Sequence, residues 1–372
     1  MKRIAYYNFS AQKAAEKLKE LQLELPRLCS DYFRAIAQVT SALTRQAYAY
    51  DLRLFFQYLY FEESDFMGTE PRLMTQEHMK IVSARHIEGF QEYLQYYIKP
   101  DAVQETPSGK KTSIPVQNQE LGIMRKLSSV RSFFDYLFRN KVTPSNNAAL
   151  VSMPKRHSKP ILYMENKEVE RMMQALMNGE GFNKTHQAYL RNTKRRDMAI
   201  LMMFLGTGIR VSELVGIDID QIDFTNSSFM VTRKGGNQTI LYFPDSVAAL
   251  LQSYLEERKN VEPLPGHENA LFLSLQKRRI TQRAVENLVK KYALIGAPLK
   301  KKLSPHKLRS TFGTNLYQET GDIYLVADTL GHADVNTTRK HYASMSDSKR
   351  REASKRINLP DVKPFQDEKD KP

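Results

Sequence analysis

A chain of 372 residues is long enough for two ordinary domains, and 41% hydrophobic against 26% charged residues is a globular balance that excludes a disordered or membrane-spanning class. The 56 Lys and Arg outnumber the 41 Asp and Glu, giving +15 and a pI near 9.6, so the expected partners are polyanions: nucleic acid first, an anionic membrane surface second. Cys29 is the single cysteine, which excludes an intrachain disulfide and a cysteine-built metal site.

No apolar run approaches the ~18 residues of a membrane span. The first twenty residues, MKRIAYYNFSAQKAAEKLKE, read as an amphipathic helix rather than a secretory leader, so the expected location is the cytoplasm. Residues 1–151 read almost entirely as helix. Two stretches there share the pattern Arg-x-Phe-Phe-x-Tyr-Leu: RLFFQYL from Arg53 and RSFFDYL from Arg131. In each, Phe55 and Leu59 or Phe133 and Leu137 fall on one helical face, which predicts two long helices packed through aromatic stripes. Thr44 and Thr75 are the predicted N-caps of flanking helices. The polar, proline-containing insertion from Lys99 to Asn118 is read as an exposed loop.

Residues 152–160, SMPKRHSKP, have two prolines and four basic side chains counting His157, and read as a linker. The pattern then changes. RRDMAILMMFLGTGIRVSEL (Arg195–Leu214) reads as an apolar helix, a Gly-Thr-Gly break and a second helix. SSFMVTRKGGNQTILYFP (Ser227–Pro244) reads as a β-hairpin turning at Lys-Gly-Gly-Asn. Helical patterns return in DSVAALLQSYLEERK and TQRAVENLVKKYALIG. The predicted fold is therefore mainly α: a helical N-terminal domain, a mixed, mostly α second domain with a small antiparallel sheet over 161–350, and a tail over 351–372.

The candidate chemistry lies in the second domain. Arg210 follows the Gly-Thr-Gly break at a helix start, where an arginine can grip an anion. Lys234 stands at the hairpin tip. His306 and Arg309 are three apart on a helix announced by Ser304-Pro305. His332 follows Leu330-Gly331, and Tyr342 lies ten residues further on. Two arginines, a lysine and two histidines make a cationic pocket with no grouped carboxylates for Mg²⁺, so neither metal nor cofactor is expected. Guanidinium groups can neutralise a phosphoryl transition state, which is worth about 10³ to 10⁵ in rate in other phosphoryl-transfer enzymes. A tyrosine fits as nucleophile, because nearby cations help a phenol of ordinary pKa ~10 to ionise and its phosphodiester preserves the energy of the broken bond. The leaving alkoxide needs a general acid, which lysine or histidine can supply for roughly 10² to 10⁴ in rate.

The segments TGIRVSEL, SPHKLRSTFGTNL and LGHADVNTTRKHYA, in this order, closely resemble the motif regions of the tyrosine recombinase/integrase family, and the basic hairpin run VTRKGG looks most like its Xer branch, especially the lone-recombinase type. The resemblance covers 161–350 with high specificity, and covers 1–151 more loosely as a core-binding, SAM-like domain. It implies that Tyr342 attacks a scissile DNA phosphate to give a 3′-phosphotyrosine and a free 5′-hydroxyl. Arg210 and Arg309 would clamp the phosphate and His332 would donate to it. Lys234 would protonate the leaving oxygen and His306 would assist proton transfer; His341 matches no catalytic position. The resemblance further implies a C-shaped clamp on duplex DNA at an inverted-repeat site, and strand exchange through a Holliday junction by a homotetramer on two sites. A DNA translocase of the FtsK type enters as partner if the task is chromosome dimer resolution. Integration or excision of a mobile element is the alternative. Candidate DNA contacts are Thr44, Arg45, Lys126, Arg279, Thr281, Gln282 and Arg283, the last three opening a helix suited to base-edge reading. A type IB topoisomerase and a non-catalytic DNA-binding regulator are the rival readings. The insertion over 99–118 and the added leading helix depart from the family's usual plan. The tail, with Ile357 and Leu359, is a candidate docking segment between protomers.

Overall fold

The computed structural model describes residues 6–105, 111–155, 157, 161–233, 236–300, 302–332 and 334–342. For residues 6–9, 99–105, 111–114, 185, 186, 337 and 340–342 it describes the backbone only. The chain divides into two compact units, 1–158 and 159–372, with the boundary inside the basic proline-containing stretch 152–160.

The first unit contains α1 (Tyr6–Gln22), α2 (Leu28–Ala35), α3 (Ala42–Glu62), α4 (Gln76–Ile81), α5 (Ala84–Tyr93), β1 (Tyr96–Glu105), β2 (Lys111–Gln117), α6 (Glu120–Arg139) and α7 (Asn147–Leu150). The two Arg-x-Phe-Phe-x-Tyr-Leu stretches lie in α3 and α6 and pack on each other. The ring centroids of Phe55 and Phe134 are 6.1 Å apart and those of Phe56 and Phe133 are 6.0 Å apart, both edge-on, the geometry that ring quadrupoles favour. Tyr32 from α2 and Phe90 from α5 extend this stack. Beside it the buried Asp51 carboxylate accepts from both terminal nitrogens of Arg125, at 2.5 and 2.7 Å, and from the Ser129 hydroxyl at 2.7 Å. A charge removed from water is thereby satisfied on both oxygens.

Two local expectations for this unit need correcting. The N-cap of α3 is Ser41, whose hydroxyl accepts from the Thr44 N–H at 3.1 Å; Thr44 lies inside the first turn. Thr75 does cap α4, in a capping box with His78. Within the stretch read as a loop over Lys99–Asn118, the described residues on either side of 106–110 pair as an antiparallel ribbon, β1 against β2, with Tyr96 opposite Gln117 and Ile98 opposite Pro115. Its prolines and polar residues obscured the strand pattern, and the register breaks between Ile98 and Val103. Tyr97, buried and stacked on Tyr93 at 5.1 Å, anchors the base of the ribbon.

The second unit contains α8 (Asn166–Asn178), α9 (Lys184–Thr207), α10 (Val211–Gly216), β3 (Ile222–Asp223), β4 (Ser228–Thr232), β5 (Gln238–Tyr242), α11 (Asp245–Arg258), α12 (Gln282–Gly296), α13 (Pro305–Thr320), α14 (Ile323–Leu330) and α15 (Val335–Tyr342). The apolar half of α9 is the axis of this unit: Ala199, Ile200, Leu201, Met203 and Phe204 are buried, and α11 and α13 pack on the helix. The three strands form one antiparallel sheet in the order β3-β4-β5, and the hairpin predicted over Ser227–Pro244 is the β4–β5 pair. Ser304 caps α13 with Pro305 at its first position, as the sequence indicates. The mainly α fold with small antiparallel sheets thus agrees with the sequence reading, apart from the added ribbon.

Replacing Phe133 by alanine empties a site lined by three aromatic rings. The expected loss is about 3–5 kcal/mol, read as a lower midpoint for the first unit in urea denaturation of the full chain.

Candidate active site

Four chain segments of the second unit meet at the C-terminal turn of α14. The first is the break after α9. Gly208 takes φ +61°, and a Cβ there would collide with Phe312 of α13, so this turn requires glycine. The turn delivers Arg210 to the N-cap position of α10. Glu213 then acts twice: its carboxylate accepts the Arg210 backbone N–H at 2.9 Å and the guanidinium Nη1 at 2.8 Å. Glu213 is 6% exposed, so this ion pair is well shielded on the acid side and fixes the arginine's direction. The aim of Arg210 therefore comes from Glu213 rather than from the helix start itself, since α10 is only six residues long.

The second segment is α13. Arg309 is 5% exposed and donates through Nη1 to the Gly208 carbonyl and through Nη2 to the Leu330 carbonyl. Arg210 Nη2 donates to the same Leu330 oxygen at 3.3 Å and to Gly331 O at 3.0 Å. One oxygen shared by both side chains means that the two guanidinium groups converge, the arrangement that can hold two oxygens of a tetrahedral anion. His306, one turn before Arg309, is exposed at the start of α13.

The third segment is the turn Leu330-Gly331-His332. Gly331 caps α14 in the left-handed conformation at φ +59°, and the His332 N–H returns to Ala327 O at 2.9 Å. This is the bond pattern of a glycine-terminated helix, and it explains the Leu-Gly-His spacing physically: the glycine reverses the chain and presents the next side chain beside the helix end. The His332 ring is held by the fully buried Thr338 of α15, with Nδ1 and Oγ1 2.7 Å apart. When Thr338 donates this bond the imidazole proton resides on Nε2, the form able to donate to an anionic oxygen. Tyr342 closes α15 one turn beyond Thr338, and its position four residues on places the two on one helical face. The Tyr342 and His341 side chains lie outside the described ones, as does all of Lys234.

The fourth segment is the end of β4. Arg233 donates through Nη2 to Thr329 O at 3.2 Å and its guanidinium lies against Gly331.

Thus Arg210, Arg309 and His332 come together, and Glu213, Thr338 and Arg233 join them as residues that sequence reasoning missed. Glu213 had a legible signal, the three-residue spacing of a capping box after Arg210. Thr338 and Arg233 had none, because each meets its partner across a distance set only by packing.

The candidate DNA contacts divide. Arg279 donates to Val215 O at 3.0 Å, to Ile217 O at 2.9 Å and to the Asp218 carboxylate, which ties its guanidinium to the segment after α10. Arg45 donates to Ala37 O at 2.8 Å and Thr40 O at 2.6 Å, closing the loop before α3. Lys126 is half-buried and bonds Asn118 at 2.7 Å; burial pushes its pKa down, with nearby Arg125 adding to the shift. Thr281 caps α12, while Arg283 is exposed and pairs loosely with Glu286 at 3.3 Å. With Gln282 these form an accessible helix start.

Residues 162–349 match the phage integrase family, half of the chain. The tyrosine recombinase XerC of Caldanaerobacter subterraneus subsp. tengcongensis is 30% identical over 350 residues, covering 91% of this chain and 89% of that protein. The chain belongs to the phage integrase family. XerC of Psychromonas ingrahamii is 36% identical over 217 residues, covering 58% of this chain and 68% of that one. Solved structures share the fold: XerH bound to a palindromic difH substrate after cleavage matches with a TM-score of 0.59 at 18% identity, covering 86% of this chain and 81% of that one. The Tn1549 transposon integrase with circular-intermediate DNA matches with a TM-score of 0.60 at 18% identity, covering 88% of this chain and 99% of that one. The protein is therefore a tyrosine-type site-specific recombinase of Xer character, an enzyme that cuts and rejoins DNA.

Thr338→Val keeps the volume of the side chain but leaves His332 Nδ1 without its hydroxyl. An orphaned buried group costs about 1–3 kcal/mol. The expected result is roughly a tenfold or greater slowing of strand cleavage with DNA affinity unchanged, measured by single-turnover kinetics and a gel-shift titration.

Proposed function

We propose that this recombinase resolves chromosome dimers, acting as a homotetramer on two copies of one inverted-repeat site and exchanging strands in pairs through a Holliday junction, in concert with a DNA translocase of the FtsK type. The observation that carries the reading is the convergence of Arg210 and Arg309 on Leu330 O, one residue before the glycine that turns out His332. End-to-end similarity to a XerC supports the cellular role over that of a mobile-element integrase.

In the proposed reaction the scissile phosphate displaces the backbone carbonyls from the two guanidinium forks. Tyr342 Oη attacks phosphorus, forming the 3′-phosphotyrosyl bond as the bond to the 5′-oxygen breaks. Lys234 transfers its proton to that oxygen, His332 donates to a non-bridging oxygen, and His306 assists proton movement. The incoming strand's 5′-hydroxyl reverses the step. Thr281, Gln282 and Arg283 supply groove contacts from the start of α12, and Thr44, Arg45 and Lys126 supply backbone contacts from the first unit. The tail over 351–372, outside the described residues, docks on a neighbouring protomer.

A nicked suicide substrate should trap wild-type protein covalently and Tyr342→Phe not at all; adducts formed by the variant would place the nucleophile elsewhere. Deleting the gene should leave unresolved chromosome dimers, seen as filamentous cells with unsegregated nucleoids. Normal segregation together with loss of excision of a neighbouring element would favour the integrase reading. DNA affinity should fall by about 10³-fold or more between ~50 and ~200 mM salt through counterion release.

A further inference from the structure

The end of β4 carries a third arginine into the same turn. The backbone of Arg233 closes the hairpin on both sides: its N–H donates to Asn237 O at 2.7 Å, and its carbonyl accepts from the Gly236 N–H at 3.1 Å. Its side chain leaves the hairpin and docks on α14, donating from Nη2 to Thr329 O at 3.2 Å. The guanidinium packs against Gly331, so closely that a Cβ there would overlap it. Its Nε is buried and has no hydrogen-bond partner among the described residues, so the group is held by shape and by one carbonyl rather than by an acid. Three successive carbonyls, Thr329, Leu330 and Gly331, thus accept from Arg233, from Arg309 and Arg210, and from Arg210.

Arg233 therefore joins two parts of the machinery that are otherwise far apart in sequence. On one side is the turn that presents His332 and receives the two phosphate-clamping arginines. On the other is the hairpin whose next residue, by a single peptide bond, is Lys234. A hairpin held only by its own two strands can swing as a lever about its base. A side chain locked onto α14 at the last position before the tip removes that freedom.

We propose that Arg233 is a positioning residue for leaving-group protonation: by docking on Thr329 and Gly331 it fixes the hairpin against the phosphate-binding turn, so that the adjoining lysine meets the 5′-oxygen. The inference rests on the assignment of Lys234 as general acid. It places a requirement on Arg233 that is specific to proton delivery: among the described residues its side chain bonds Thr329 O and packs on Gly331, and not on the two clamping guanidiniums.

The test compares suicide substrates with an ordinary 5′-oxygen and with a 5′-bridging sulfur at the scissile phosphate. A thiolate departs without a proton, so loss of the acid, or of its positioning, should matter only for oxygen. Arg233→Ala and Arg233→Gln should slow covalent trapping on the oxygen substrate by about 10²-fold, within the range of general-acid catalysis, and by less than about threefold on the sulfur substrate. Arg233→Lys, which can still donate to Thr329 O, should recover part of the loss. Trapping on sulfur also reports that each variant is folded; if the alanine variant does not fold, the glutamine variant decides. Equal slowing on both substrates, or no slowing on either, overturns the proposal. Lys234→Ala serves as the reference. If it too is slowed equally on both substrates, the assignment of the acid fails; if sulfur rescues it but not the Arg233 variants, only the positioning role fails.

Discussion

The C-terminal turn of α14 is the constraint on which the site depends. A helix end leaves carbonyls unpaired and carries the negative pole of the helix dipole. Here the carbonyls of Thr329, Leu330 and Gly331 meet this need with three arginines drawn from β4, α10's N-cap and α13. Helix capping and assembly of the cationic pocket are therefore one event. The guanidinium groups that would repel one another in isolation are held together by a carbonyl end and by one buried carboxylate, Glu213. A phosphate oxygen bears more charge than a peptide carbonyl, so a guanidinium bonds it more strongly.

Two glycines make this turn possible for different reasons. Gly208 lets the chain leave α9 so close to α13 that Phe312 occupies the space a side chain would need. Gly331 both adopts the left-handed cap and leaves the space that the Arg233 guanidinium fills. The glycines in TGIR and LGH are thus part of the cationic site: one lets Arg309 reach a carbonyl beside Arg210, and the other turns His332 toward them.

The first unit shows the same physics applied to a different end. Its repeated aromatic stripes make a rigid platform by edge-on ring packing, and the Asp51–Arg125–Ser129 cluster locks α3 to α6 with every carboxylate oxygen satisfied. The stripes were legible from periodicity alone, because an amphipathic helix must hide one face whatever its partner. The ribbon over Tyr96–Gln117 was not, because two strands with prolines carry little alternation and are defined mainly by each other. The partners of Arg279 were hidden for a related reason: an arginine beside a helix start shows no sign in the sequence of the Asp218 carboxylate and the two carbonyls that folding brings to it.

The sequence by itself determined the basic character of the protein, its helical character, the hairpin, and the motif segments TGIRVSEL, SPHKLRSTFGTNL and LGHADVNTTRKHYA, whose order resembles that of a tyrosine recombinase. These are properties of residue type, local period and spacing, and they survive without coordinates. Only the tertiary structure decided that Arg210 and Arg309 share Leu330 O, that Thr338 orients His332, and that Arg233 binds the hairpin to the same turn. The physical reason is that each of these bonds ends on a backbone carbonyl or a buried polar group. Carbonyls are identical at every residue and so leave no trace in the sequence, and which of them are exposed to which arginine is fixed by packing alone.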